Sequence, residues 1–132
     1  MPQTRVLFYR EATGEVPVLN WLRELRRKDP EGYAKCVARV KLLAELGHRL
    51  RRPIADTLRD GIYELRARKR RVNYRLLYFF YGKHVAILAH ALTKEAEVPD
   101  IDIERAIARK RAVENDPETH TAEEELSEEE HS

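Results

Sequence analysis

The sequence predicts an α+β fold: a small antiparallel sheet with two N-terminal helices packed on one face, in the order β-α-α-β-β-β-α. Three observations predict it. Residues 17–47 carry two apolar stripes at helical spacing, residues 61–93 shift to β-rich alternation, and a basic connector, HRLRRP, lies between them. Paired amphipathic helices must bury their stripes, and a sheet with one apolar face is the surface available to them.

Taken in order, residues 5–9 (RVLFY) are short and β-prone, giving a first strand. Residues 14–30 read as a helix, because Pro17 suits a first-turn position and Val18, Leu22 and Leu25 recur on one side with Trp21 beside them. Asp29-Pro30 stops that helix and starts the next, with Asp29 as N-cap and Pro30 as its first residue. Tyr33, Val37, Val40, Leu43 and Ala44 form the second stripe, and Gly47 ends it. Cys36 borders this stripe, which predicts a packed, inert thiol. Strands follow at about 61–67, 72–81 and 84–93, joined by RKRR (68–71) and by Gly82-Lys83, a two-residue hairpin signal. After Pro99, Ile103, Ala106 and Ile107 share one side of a third, weakly amphipathic helix.

At 132 residues the chain is about one domain long. No run approaches the ~18 apolar residues that span a bilayer, and no apolar leader with a small-residue cleavage site opens it. A single cysteine rules out an internal disulfide. These features predict a cytoplasmic protein with no membrane partner. The net charge of +2 conceals an asymmetry. Residues 114–132 hold nine acids and no Lys or Arg, so the remaining body has 25 basic residues against 14 acids, a net +11. The division expected is a folded domain over 1–113 and a disordered acidic tail over 114–132. A body so basic suits a polyanionic partner. The tail either is simply solvated or folds back to screen the basic site.

The hairpins predict which side chains share a face. With Arg68 opposite Arg71, Glu64 lies opposite Arg75 and Arg66 opposite Asn73; with Tyr81 opposite His84, Arg75 lies opposite His90. One face then carries Tyr63, Leu65, Tyr74, Leu76, Tyr78, Phe80, Val85, Ile87, Ala89 and Ala91, and should receive the helices. The other gathers Glu64, Arg66, Asn73, Arg75, His90 and Lys94, and turns apolar nearer the second turn with Leu77, Phe79, Ala86 and Leu88. The polar patch suits a phosphodiester: arginine offers forked donors to phosphate oxygens, and histidine exchanges protons near neutral pH. Cleavage of RNA by its own 2′-hydroxyl needs a base, cations for the phosphorane and an acid for the 5′-oxygen, with no cofactor and no metal. Arg66, Arg75, His90, Lys94 and Glu64 are the catalytic candidates. Arg68, Lys69, Arg70, Arg71, Asn73 and Tyr81 are the RNA-binding ones, with the tyrosine offering a ring for base stacking. Each has a plainer reading. Glu64 can be a cross-strand ion pair, His90 a partly buried hydrogen-bonding residue, RKRR a solvated turn and Lys94 a surface lysine.

The same residues carry a resemblance. Asp60-Gly61, Glu64-Leu65-Arg66, Tyr74-Arg75-Leu76-Leu77-Tyr78-Phe79-Phe80 and the run from His90 to Lys94 resemble the central block of the RelE/HigB superfamily of type II toxins, in its phage-derived HigB-like branch. Residues 14–25, with Pro17 and Trp21-Leu22, are similar to that branch's first helix, and the resemblance spans about 5–112. It implies a RelE/ParE-like fold and a metal-independent endoribonuclease, an mRNA interferase, acting on mRNA on the ribosome. It also implies a cognate antitoxin of the helix-turn-helix type. By position Arg66 and Arg75 look like the phosphate-binding and transition-state arginines, and His90 or Lys94 like the C-terminal catalytic group. One departure is Lys94-Glu95, where the branch often shows a lysine pair. Two other readings accompany it: a ParE-like gyrase-inhibiting toxin, and a non-catalytic relic that binds RNA or an antitoxin.

Overall fold

In a computed structural model that describes residues 4–94 and 96–126, the chain order is β1 (Arg5–Tyr9), α1 (Pro17–Lys28), α2 (Pro30–Leu46), β2 (Ala55–Thr57), β3 (Tyr63–Lys69), β4 (Val72–Phe80), β5 (Val85–Thr93), α3 (Asp100–Asn115), a one-turn α4 (Pro117–His120) and β6 (Thr121–Ala122). Asp29 caps α2 as expected, accepting a hydrogen bond from the Gly32 amide at 3.1 Å, with Pro30 next in the chain. Gly47 ends α2 at φ +51°, a conformation that costs a side chain dearly and glycine little. The arrangement is α+β. Its six-stranded sheet has the order β2-β3-β4-β5-β1-β6 and is antiparallel except where β1 runs parallel to β5.

The helices α1 and α2 cover one sheet face. Leu22, Leu25, Val37 and Leu43 pack there against Phe8, Leu65, Leu76, Tyr78 and Leu88. Cys36 is wholly buried in this layer, and burial pushes its thiol up to about 12, so it is an inert packing group. The second face is also covered. Helix α3 lays Ile103, Ala106, Ile107 and Val113 over Ile62, Leu77, Phe79, Ile87, Ala89 and Leu92. The apolar end of the polar face is therefore a second core, which explains why Leu77 and Phe79 interrupt the polar alternation.

Both predicted hairpin registers need correction. Lys69 pairs with Val72, leaving Arg70 and Arg71 as the turn, so Arg66 faces Arg75 and Glu64 faces Leu77. This two-residue slip from the expected pairing keeps every side chain on its predicted face, because the pleat has period two. The β4–β5 connection is longer than Gly82-Lys83: the strands stop at Phe80 and restart at Val85, with Phe80 opposite Ala86. That odd shift exchanges the faces on the first half of β5. Ala86 and Leu88 go to the α1–α2 side, while Val85, Ile87 and Ala89 go to the α3 side. An irregularity between Leu77 and Tyr78 then restores the alternation, so Leu77 faces His90 and Arg75 faces Leu92.

Two strands lie where no alternation announced them. The three-residue β2 follows the basic connector and forms one sheet edge; the turn returning to β3 holds Asp60 at φ +54° and Gly61 at φ +79°. The pair Asp-Gly supplies such consecutive positive angles at low cost. Strand β6 lies in the segment expected to be disordered. Helix α3 continues to Asn115, and Thr121 and Ala122 pair with Tyr9 and Phe8. The His120 ring stacks on Tyr9 at 5.6 Å, Arg10 donates to the carbonyls of Glu118 and Thr119, and Leu126 packs on the α1–α2 core. Composition misled here because a short edge strand needs few apolar residues when β1 offers it a ladder. The rest of the expected tail, 127–132, lies outside the described residues.

Candidate nucleic-acid interface

Opposed arginines in a ladder repel unless a carboxylate joins them. Glu64 does so from two positions before Arg66 on the same face. Its carboxylate accepts from Arg66 Nη2 at 3.1 Å and from Arg75 Nη1. Glu64 is 1% exposed and Arg75 9%, whereas 37% of the Arg66 side chain is open. Arg75 Nε also points to the Lys94 carbonyl at 3.4 Å, and the Lys94 amide donates to Asn73. Thus β5 leaves the sheet beside both residues. Arg66 Nη2 lies 3.5 Å from Asp56, and its Nε is buried without an acceptor.

Arg66 and Arg75 line a cavity of about 420 Å³, completed by Arg68 and Asn73, by Arg39 of α2, by Pro53 and Ile54, and by Glu97 in the segment leading into α3. Four guanidinium groups and one carboxylate face a single groove. Arg70 and Arg71 stand exposed at the hairpin tip beside it, with Arg70 held at φ +56°. Lys69 does not join them. Its ammonium lies 2.5 Å from Asp29, whose other oxygen accepts from the Tyr74 hydroxyl at 2.7 Å, so this lysine ties the hairpin to the N-terminus of α2. Those two hydrogen bonds hold the Asp29 carboxyl down at about 2.

His90 does not line this groove. It sits under α3 with Nε2 2.7 Å from Asp102 and Nδ1 3.3 Å from Arg109, which also donates to the Ala89 carbonyl. Burial lowers its pKa, Asp102 opposes that by hydrogen bonding, and the Arg109 charge reinforces it. A neutral imidazole donating to Asp102 and accepting from Arg109 fits these partners. Tyr81 is exposed but lies at the far end of β4, roughly 30 Å along the strand from the hairpin tip at about 3.3 Å per residue. The fold thus brings together Glu64, Arg66, Arg68, Asn73 and Arg75 with the backbone of Lys94, and leaves out His90, Tyr81 and the Lys69 ammonium. Arg39, Asp56 and Glu97 were not predicted. Arg39 is on a helix surface, Glu97 in an irregular segment and Asp56 in a three-residue strand too short to show alternation, so no periodicity assigns any of them to this face.

The family model described as phage derived protein Gp49-like (DUF891) matches residues 20–111, from within α1 to near the end of α3. The chain belongs to the Gp49-like family. No curated protein matches it. The Gp49-like proteins are a toxin-like family associated with RelE-type toxins, and the matched span contains the whole arginine groove. Among the described residues of this Gp49-like chain no helix is long and apolar enough to cross a membrane, and no cluster of three or more His, Cys, Asp or Glu could hold a metal ion.

Proposed function

We propose that this Gp49-like protein is the toxin of a type II toxin–antitoxin system and that it cuts mRNA on the ribosome without a metal, stopping translation. One observation carries the reading: Arg66 and Arg75 face each other across β3 and β4 at the floor of an open cationic groove, with Glu64 holding both in place. The membership in a toxin-like family supports it and makes an antitoxin the expected partner.

In the proposed reaction the 2′-hydroxyl attacks the adjacent phosphorus, a 2′,3′-cyclic phosphate forms and the 5′-oxygen departs. Arg66, through the exposed part of its guanidinium, and Arg75 stabilise the charge that grows on the non-bridging oxygens. Glu64 is too buried to reach the hydroxyl and acts as the positioning residue for both arginines. Glu97, the carboxylate that lines the groove, takes the hydroxyl proton. Lys94, whose backbone meets Arg75 and Asn73 and whose side chain is exposed, is assigned the proton for the leaving oxygen. Arg68, Arg70 and Arg71 contact flanking phosphates, and their charge draws the protein to ribosomal RNA.

Induced expression of the wild type and Arg66→Ala tests this, with primer extension on translated and untranslated forms of one message. Arg66 suits the purpose because its removal leaves the buried Arg75–Glu64 pair intact. Cuts in the translated message alone, lost in the variant, are the expected result. The burial of Arg75 favours a second reading, a non-catalytic RNA binder, since two of its donors already have acceptors. Growth arrest with RNA bound but uncut by the wild type would establish that reading instead.

A further inference from the structure

On the opposite face of the sheet a cavity of about 370 Å³ opens between the end of α2 and the strands. One wall is aromatic. Tyr63 and Tyr78 stack at 5.4 Å, Phe80 meets both edge-on, and the His48 imidazole lies on Phe80 at a centroid separation of 3.7 Å and 22° between planes. His48 is exposed and belongs to the 3-10 turn Gly47–Arg49. The other wall is cationic, with the exposed Arg51 and Arg52. The volume falls in the range of small-molecule sites, and a ring wall facing two guanidinium groups is the chemistry that holds a planar base by one side and its phosphate by the other.

We propose that this pocket binds a nucleobase carrying a phosphate, with the base in the free volume against Tyr63, Phe80 and His48 and the phosphate on Arg51 and Arg52. The site is separate from the arginine groove and does not depend on cleavage there. Its position makes a connection between the two. Arg51, Arg52, Ala55 and Asp56 line the pocket, while Pro53 and Ile54, between them in the chain, line the groove. Asp56 reaches Arg52 Nε at 2.9 Å and Arg66 Nη2 at 3.5 Å, so one carboxylate joins the two cationic sets across the sheet's short edge strand β2. A single RNA strand crossing that edge places one nucleotide in the pocket and a neighbouring phosphate in the groove. A free mononucleotide offers the same base and phosphate to the pocket alone.

The test is titration of the full chain with 5′-AMP, with ribose 5-phosphate and with an RNA hexamer, following the aromatic ring resonances by NMR together with the dissociation constants. The pocket reading expects 5′-AMP to bind at least tenfold more tightly than ribose 5-phosphate, with shifts at Tyr63, Phe80 and His48. The double variant Arg51→Ala/Arg52→Ala should lose at least tenfold in 5′-AMP affinity, as should His48→Ala, with thermal melting showing that both remain folded. Equal binding of 5′-AMP and ribose 5-phosphate, or no ring shifts, overturns the proposal. The hexamer separates the sources. If the occupant is a nucleotide of a bound RNA strand, hexamer affinity exceeds that for 5′-AMP and falls in both the double variant and Arg66→Ala. If it is a free nucleotide, 5′-AMP affinity is unchanged in Arg66→Ala and the hexamer gains nothing over it.

Discussion

Glu64 is the residue on which the groove turns, because it is the buried charge that lets two arginines face each other. Glu64→Gln removes that charge while leaving Arg75 nine-tenths buried. Breaking a buried ion pair from one side costs about 3–5 kcal/mol, so urea titration should show a fall of that order, and adding Arg75→Met should recover much of it. Glu97 is a cleaner probe of chemistry, being exposed. If it is the general base, Glu97→Gln should lower cleavage about 10²-fold or more at unchanged stability, in the range general bases contribute. His90 has a different signature. Its folded pKa lies below the ordinary value of 6.5, so the unfolded chain binds the proton first as pH falls. The contribution of neutral His90 is complete above about pH 6.5 and declines below it. His90→Gln should remove that part of the pH dependence while leaving cleavage activity largely intact, measured by thermal melting from pH 7.5 to 5 and by message cutting.

At the level of elements, the α2 N-terminus and the β3–β4 hairpin are one unit, built through Asp29, Lys69 and Tyr74. Gly32 makes the approach possible: a Cβ there would stand 2.6 Å from an Asp29 oxygen and 2.8 Å from the Tyr74 hydroxyl. Alanine for glycine inside a helix ordinarily stabilises by roughly 0.5–1 kcal/mol. Here the sign should reverse, and Gly32→Ala should lower the melting temperature. The Asp29 carboxyl, held at about 2 against an ordinary 3.8, gives the same unit a pH signature. Its stabilisation is full above about pH 4 and is lost as pH falls toward 2, so Asp29→Asn should flatten the acid limb across that interval. The hairpin was legible in outline for a related reason. Alternation assigned Glu64, Arg66 and Arg75 to one face because a slip of two residues preserves faces, whereas the longer turn at 81–84 shifted β5 by an odd number and exchanged Ile87 with Leu88.

For the whole molecule the acidic C-terminus is decisive. An acidic segment can screen a basic site, but its described part runs to the other edge of the sheet. There β6 pairs with β1, Glu123 lies 3.2 Å from Arg5, and Glu124, Glu125 and Leu126 stand with Arg23, Arg26, Leu19 and Leu22 of α1. Truncation after Asn115 opens the β1 edge and uncovers Tyr9, so it should lower the melting temperature and promote association. The described acids do not line the arginine groove, so any gain in RNA affinity on truncation should be the long-range effect of removing eight negative charges, present at low salt and largely screened at about 0.15 M salt.

Local chemistry, then, was decided by sequence alone: the α+β order, the caps at Asp29 and Gly47, the two-helix layer and the company of Glu64, Arg66, Asn73 and Arg75 on one face. Each follows from period and turn residues within a few positions along the chain. Tertiary structure decided what depends on distant partners. Helix α3 buries the apolar half of that face and encloses His90 between Asp102 and Arg109, Lys69 is drawn to a helix cap forty residues away, and β1 recruits an acidic segment as a strand. No local pattern encodes these, because the groups that satisfy each one meet only when the elements pack.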